Sequence, residues 1–114
     1  MAERSRILGQ VPNPAADEGL STEIYVCPSG QLARIESVFV LNASAVASFF
    51  AISVDKGGDN PGVPEAKDYL YRHHAIAAWE TFVVDSPILL ESDDRIEGAS
   101  DSTDLVFNVY GTEY

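Results

Sequence analysis

The stretch that decides the fold is Gln-Leu-Ala-Arg-Ile-Glu-Ser-Val-Phe-Val-Leu-Asn, at residues 31–42. It is the longest run with the β-branched and aromatic residues that strands prefer, and it shows no helical period. Regular alternation divides it into a mainly apolar face and a mixed face. The first face holds Ile35, Ser37, Phe39 and Leu41, and the second holds Arg34, Glu36, Val38 and Val40. The mixed face predicts a strand that is solvated at its start and covered at its end.

Shorter strand patterns flank this run at intervals of roughly ten residues, separated by turn formers. They are predicted at residues 21–26, 49–55, 69–76, 79–84, 87–90 and 95–99, with a closing strand that begins at 105 and nearly reaches 114. Within 49–55, Phe50, Ile52 and Val54 are expected to point inward. Residues 43–48 are predicted as a loop between the arms of a hairpin, and 56–64 as a long surface loop. Many short strands with frequent turns indicate an all-β sandwich or barrel.

The composition excludes several classes of function. A net charge of −11 on 114 residues argues against nucleic acid and against anionic membranes, which both require Lys and Arg. No run approaches the roughly 18 apolar residues of a spanning helix, and the first residues lack a secretory apolar region. Synthesis in a cytoplasm is therefore expected. Cys27 is the single cysteine, so it forms no intrachain disulfide and is interpreted as a buried apolar side chain.

The first 19 residues are predicted to be an extended N-terminal arm, followed by one domain at residues 20–114. Its basic residues are Arg4 and Arg6, and its apolar anchor is Ile7 and Leu8, in a short strand near residues 6–10. Two prolines follow, which favour extended backbone. We expect that this arm does not bury itself in its own sheet and instead reaches a neighbouring copy. The region from residue 80 onward supports this, because it has nine acidic residues and one basic residue.

Two groups of residues suggest metal sites but have simpler explanations. His73 and His74 are adjacent, so in a strand their rings point to opposite faces and do not converge on one ion. A role in cross-strand packing or at an interface is expected for them, and protonation near pH 6 would weaken such an interface. The acidic clusters at residues 91–94 and 101–104 have oxygen ligands suited to Ca²⁺, but solvated turns account for them.

Four aromatic residues are candidates for a stacking platform or a subunit interface: Tyr25, Tyr69, Tyr71 and Trp79. For Trp79 a position capping the core and a position on the surface are equally expected. Asn42-Ala43-Ser44 matches a glycosylation sequon but is interpreted as a turn. No arrangement of nucleophile, base and orienting group is visible, so the chain is predicted to be no enzyme and to need no cofactor.

A series of motifs stands in a fixed order along the chain. They are Ile-Leu-Gly-Gln at 7–10, Tyr-Val-Cys-Pro-Ser-Gly at 25–30, the strand ending in Asn-Ala-Ser at 42–44, Ala-Ala-Trp-Glu-Thr at 77–81, Leu-Glu-Ser-Asp-Asp-Arg-Ile at 90–96 and Gly-Thr-Glu at 111–113. The series resembles that of small β-sandwich structural proteins of tailed-bacteriophage virions. Where those proteins have a turn glycine this chain has Asp93, which can also adopt the left-handed conformation. Cys27 replaces the residue that usually precedes the turn proline.

The resemblance implies a single antiparallel β-sandwich, jelly-roll-like, with roughly eight short strands. It implies a non-enzymatic virion protein, made in the host bacterial cytoplasm, which oligomerises on the particle as a capsid decoration or cement protein or as an accessory component. The expected partners are further copies, with a trimer favoured, and other virion proteins such as the major capsid protein. The alternative is a tail- or fibre-associated module that binds a host-surface glycan or receptor.

Overall fold

The computed structural model describes residues 6–12, 22–58, 68–85, 87–100 and 105–114. These ranges contain nine strands and a 3₁₀ turn at Lys56–Gly58. The strands are β1 (Arg6–Pro12), β2 (Thr22–Val26), β3 (Ala33–Asn42), β4 (Ser48–Asp55), β5 (Tyr69–Ile76), β6 (Thr81–Val84), β7 (Ile88–Leu90), β8 (Arg95–Ser100) and β9 (Leu105–Glu113). The all-β prediction is confirmed. A helix of the length and hydrophobicity needed to cross a membrane is not found in the described ranges.

The strands form two antiparallel sheets. The first has the order β1-β9-β3-β6 with β7 also paired to β3, and the second has the order β2-β8-β4-β5. Because β9 pairs along the whole length of β3, β6 and β7 share the other edge of β3 as one interrupted strand. Counted in this way, eight strand positions follow the two Greek keys of a jelly roll. The predicted β-sandwich is therefore confirmed.

The hydrophobic core lies between the two sheets. Phe50 and Ile52 of β4 are fully buried and Val54 packs against them, which confirms the inward face predicted for this strand. Phe50 meets Phe107 of the opposite sheet at 6.2 Å between ring centroids, in an edge-to-face arrangement. The two sheets are therefore joined by aromatic packing near the middle of the sandwich.

A β-bulge in β3 changes the faces predicted for the central strand. Ile35 pairs with Gly111 of β9 but Ser37 pairs with Tyr110, so Glu36 is an extra residue. The alternation reverses after it: Ile35, Val38 and Val40 are all buried, whereas Phe39 faces away from the core. The prediction that Ile35 and Phe39 share a face is wrong. The residues predicted for one mixed face are also divided by the bulge: Arg34 and Glu36 are exposed on the outer face, and Val38 and Val40 face the core.

Arg6–Pro12 of the predicted arm forms β1, an edge strand paired with β9 of the same chain. The expectation that this segment cannot enter its own sheet is wrong for these residues. Leu8 packs against the core, Ile7 faces outward, and Pro12 ends the strand at a sheet edge, where a missing N–H is tolerated. Gly9 lets β1 approach β2, because a Cβ there would overlap the Ile24 carbonyl. Arg4 lies outside the described residues, as do the bounds of the predicted arm at 1 and 19.

Candidate interaction surface

The outer face of the first sheet carries a continuous uncharged surface beyond the bulge. We call it the uncharged face. Residues paired across antiparallel strands point to the same side of a sheet, so the register defines its members. They are Ile7 and Gln10 of β1, Val106, Asn108 and Tyr110 of β9, Ser37, Phe39 and Leu41 of β3, and Thr81 and Val83 of β6.

The uncharged face is ordered by contacts between its own side chains. The rings of Phe39 and Tyr110 meet edge to face with centroids 5.3 Å apart. At one side the Gln10 amide donates to Asn108 Oδ1 at 2.6 Å. Ile7 is 49% exposed and Val83 41% exposed at the two outer strands. In a chain of net charge −11, an uncharged surface that extends across four strands is a candidate interface.

The same sheet is charged on the other side of the bulge. Arg34 and Glu36 are exposed there, and Arg34 lies opposite Leu89 of β7. The bulge at Glu36 therefore separates an uncharged half of the outer face from a charged half. The sequence did not reveal this division, because regular alternation placed Phe39 and Leu41 with buried Ile35.

Residues 43–47 and 77–80 form a second apolar feature, at the end of the sandwich adjoining the uncharged face. We call it the Trp79 tip. The loop at 43–47 crosses from the first sheet to the second, so the predicted hairpin is wrong. Trp79 is 66% exposed and Val46 71% exposed, and five alanines occupy most of the remaining positions. Trp79 is therefore a surface residue and does not cap the core.

The buried side chain of Asn42 holds the two parts of the tip together. Its Nδ2 donates to Val46 O at 2.8 Å and to Ala77 O at 3.1 Å. Its Oδ1 accepts from the backbone N–H and the hydroxyl of Ser44. A backbone hydrogen bond from Trp79 N–H to Ser44 O adds a direct link of 3.1 Å. The Asn-Ala-Ser motif is thus a loop clamp, which the sequence interpretation as a turn only partly anticipated.

The four aromatic residues predicted as a stacking platform do not form one exposed surface. Tyr25 is buried in the core and its hydroxyl donates to Glu113 Oε2. Tyr71 packs against the core, with its ring 5.2 Å from that of Phe82. Tyr69 is half-buried, with the Arg72 guanidinium 4.8 Å from its ring centre. Of the four, only Trp79 presents a mainly exposed ring.

The two histidines lie on opposite faces of β5, as predicted. His73 stacks on Phe49 on the outer side of the second sheet, with ring centroids 4.1 Å apart. His74 lies on the inner side, 4.5 Å from Phe82 and 5.2 Å from Phe50. A positive φ of 53° at His73 accompanies a register shift in this part of β5. Their expected role at an interface stays a prediction.

The opposite end of the sandwich is held by a buried carboxylate, Asp94. Lys56 Nζ donates to it at 2.9 Å, Gly57 N–H at 2.7 Å and Glu91 N–H at 2.9 Å. Burial by itself raises the pKa of Asp94, but the backbone N–H of Glu91, the Lys56 ammonium and the Gly57 N–H outweigh it and hold the pKa below its usual value. The interpretation as a solvated turn is wrong for Asp94, although Glu91 and Asp93 are exposed.

The turn at 91–94 also binds the backbone of Cys27, which directly follows β2. Asp93 N–H donates to Cys27 O at 3.0 Å, and Cys27 N–H donates to Asp94 O at 2.9 Å. Asp93 has φ 69°, in the left-handed region that aspartate can adopt at modest cost. Cys27 is fully buried, and burial first, then Glu113 and Asp94, raise the pKa of its thiol. A thiol in this setting is a poor nucleophile.

The described ranges contain no group of three or more His, Cys, Asp or Glu side chains arranged to hold a metal ion. Asp101 and Asp104 of the second acidic cluster lie outside those ranges. Comparison with protein-family models, with curated proteins and with solved structures gives no match in any of the three. The candidate site is therefore defined by its geometry: an uncharged sheet face and an adjoining aromatic tip.

Proposed function

We propose that this chain is a non-enzymatic structural protein of a tailed-phage virion, which associates with copies of itself on the particle through the uncharged face. The jelly-roll sandwich and the uncharged face support the association. The ordered motif series supports the phage setting. The single observation that carries the proposal is the concentration of ten uncharged side chains on one half of one sheet.

Electrostatics explain why this surface suits contact between identical copies. Two copies of net charge −11 repel one another, and the repulsion at close range depends on which surfaces meet. A contact through the uncharged face keeps acidic side chains of both copies out of the buried region. It also removes apolar side chains such as Phe39 and Val83 from water. A contact through the charged half would bury Arg34 and Glu36, whose desolvation is costly.

The association is tested by placing a charge within the face. Val83 is a suitable site because it is 41% exposed on β6 and substitution leaves the core intact. We expect Val83→Asp to weaken self-association by about tenfold or more, equivalent to at least ~1.4 kcal/mol. Sedimentation velocity over a concentration series measures this change.

Ala75→Asp is the matched control. Ala75 is an exposed strand residue of the second sheet, so this variant has the same net charge as Val83→Asp. We expect it to associate like the wild type, apart from the small general effect of one added charge. Equal loss in the two variants, or no loss in either, contradicts the assignment of the contact to the uncharged face.

The virion setting has its own test. On purified particles of the phage that carries the gene, immunogold labelling with an antibody against the chain reports where the protein is. Label on the capsid supports decoration or cementing, and label on the tail or fibres supports the alternative location. Particles that carry no label contradict a virion role.

The exposure of Trp79 favours one further candidate, a tail- or fibre-associated module that binds a host-surface glycan. An exposed indole is the group on which a sugar ring stacks. A glycan array with the wild type and with Trp79→Ala tests it. Binding by the wild type that is lost in the variant supports this candidate, and a wild type that binds nothing on the array removes it.

A further inference from the structure

We infer that the Trp79 tip belongs to the same self-contact as the uncharged face, so that a second copy of this chain covers both. This inference rests on the proposed self-association. It assigns a binding role to two loops, residues 43–47 and 77–80, and identifies Trp79 and Val46 as the side chains that are buried on assembly.

The first argument is continuity. Leu41 pairs with Thr81 on one side and with Val106 on the other, so these three residues form the end of the uncharged face. The next residues along the two strands that meet there are Asn42 and Glu80, where the tip begins. Asn42 N–H donates to Glu80 O at 2.9 Å. A partner seated on this end of the face therefore lies directly beside the tip.

The second argument is area. Four strands spaced by about 4.8 Å over about five residues give the uncharged face a flat area on the order of 300 Å². A stable interface covers about 800 Å² on each partner. A large aromatic side chain buries roughly 150–250 Å² when it is fully covered, and Trp79 is still 66% exposed. The tip supplies a substantial part of the area that the face lacks.

The third argument is polarity, which distinguishes a second copy from a sugar. A sugar site needs polar groups beside the stacking ring to bind hydroxyls. In the tip the Ser44 hydroxyl bonds to Asn42 Oδ1 at 2.9 Å and to Val46 O at 3.1 Å. Glu80 Oε1 accepts from Ala77 N–H at 2.7 Å. The hydroxyl and Glu80 Oε1 serve the loops themselves. Apart from the exposed carboxylate of Glu80, the side chains that face outward beside the indole are alanine and valine, which suit a protein surface better than a sugar.

The backbone of the tip gives a fourth argument. Trp79 has φ 61°, a conformation that glycine adopts without strain and that costs a bulky residue stability. The tryptophan places an exposed indole at the end of the sandwich. Its turn is held by the hydrogen bonds from Trp79 N–H to Ser44 O and from Asn42 Nδ2 to Ala77 O. The arrangement suits a side chain that is used between molecules.

Trp79 is the single tryptophan of the chain, so its fluorescence reports on the tip alone. The experiment measures Trp emission and sedimentation of the full chain over the same concentration series. We expect the emission to move to shorter wavelength as the mass rises, because the indole leaves water when a second copy covers it. Val46→Asp, at a site that is 71% exposed, should weaken association by tenfold or more and leave the emission at the position of the monomer.

Trp79→Gly gives a second readout that does not depend on fluorescence. It should associate at least tenfold more weakly while unfolding at the same or a higher temperature, since glycine relieves the strained φ. Ala75→Asp is again the control and should show the wild-type emission shift.

The outcomes separate the two proposals. If the mass rises with concentration and Val83→Asp prevents it, but Trp79 emission stays constant and Val46→Asp associates normally, the inference about the tip is overturned and the proposed function stands. If the wild type has the monomer mass at every concentration, the proposed self-association is itself overturned, and the inference with it.

Discussion

The two ends of the sandwich are built on the same plan with opposite chemistry. At each end one buried polar side chain binds segments that are distant in sequence, and one residue other than glycine takes a left-handed turn conformation. At the tip these are the neutral amide of Asn42 and the indole-bearing Trp79. At the opposite end they are the carboxylate of Asp94 and the exposed acid Asp93.

The difference shows how an acidic protein can keep one end mainly apolar, with Glu80 as the acidic residue of the tip. An amide bonds to backbone carbonyls without bringing a charge or a counter-ion, so the loops at the tip can expose alanine, valine and tryptophan. A carboxylate needs cationic and N–H partners, and Lys56, Gly57 and Glu91 supply them at the other end. The buried side chain at each end therefore matches the surface around it. The neutral Asn42 lies beneath a mainly apolar surface, and the charged Asp94 lies beneath a solvated one.

Replacing the Asn42 amide at the tip by a carboxylate gives the largest expected effect on the free energy of unfolding. Asn42→Asp replaces the donor that serves Val46 O and Ala77 O with an oxygen, and leaves a buried charge without a cation. We expect a loss of about 3–5 kcal/mol in the free energy of unfolding at neutral pH. Urea unfolding of dilute protein measures it.

Asn108→Asp is the control for this exchange, because Asn108 is half-buried and its Oδ1 accepts from Gln10, a bond that a carboxylate retains. The free energy of unfolding of Asn108→Asp should fall by less than about 1 kcal/mol, as for other surface substitutions. Equal losses at the two positions contradict the clamp assigned to Asn42.

Removing the charge of Asp94 at the opposite end gives an intermediate effect on the free energy of unfolding, and this effect depends on pH. Asp94→Asn leaves three donors facing an amide and should cost about 1–3 kcal/mol at pH 7. Because the folded-state pKa of Asp94 lies below the unfolded value of about 3.9, the carboxylate stabilises the fold above that value. The contribution is lost as the pH falls through the folded-state pKa.

Urea unfolding at pH 7 and at acidic pH checks the sign of this effect. The difference between wild type and Asp94→Asn should be complete above about pH 5 and should shrink below about pH 4. Asp93→Asn is the matched control: it removes the same charge from an exposed neighbour and keeps a residue that tolerates positive φ. A pH dependence of equal size in that variant contradicts the buried pairing.

Substitutions at Trp79 and Asp93, which both have positive φ, give the smallest expected effect on the free energy of unfolding. Trp79→Gly should raise the free energy of unfolding by about 0.5–1 kcal/mol, because a bulky residue gives up a strained φ. Asp93→Gly should gain less, at most about 0.5 kcal/mol, since aspartate tolerates this conformation. Trp79→Ala keeps a Cβ and should gain nothing. Thermal unfolding of dilute protein measures all three, and a gain in Trp79→Ala equal to that in Trp79→Gly contradicts the strain at this position.

The sequence was sufficient for the local features of the fold. Alternation predicted most of the strands and the inward face of β4, because that pattern reflects burial within one strand. The opposite orientation of His73 and His74 follows from the same geometry. The positive φ at Asp93 is compatible with the residue type, because aspartate tolerates the left-handed conformation.

The remaining features depend on residues that are distant along the chain. The bulge at Glu36 arises from the pairing of β3 with β9, so the uncharged face appears only when both strands are placed. Asp94 is held by Lys56 and Gly57 of the 3₁₀ turn after β4, 38 and 37 residues away. The entry of Arg6–Pro12 into the first sheet likewise depends on β9, the last strand. None of these pairings leaves a mark in the local sequence.

The measurement that tests the central claim most directly is the mass of the wild-type chain in solution at neutral pH, by sedimentation equilibrium over a wide concentration range. If the uncharged face binds a second copy, the mass rises from 12.3 kDa to a fixed multiple of that value. A mass of 12.3 kDa that persists to the highest concentration contradicts the account.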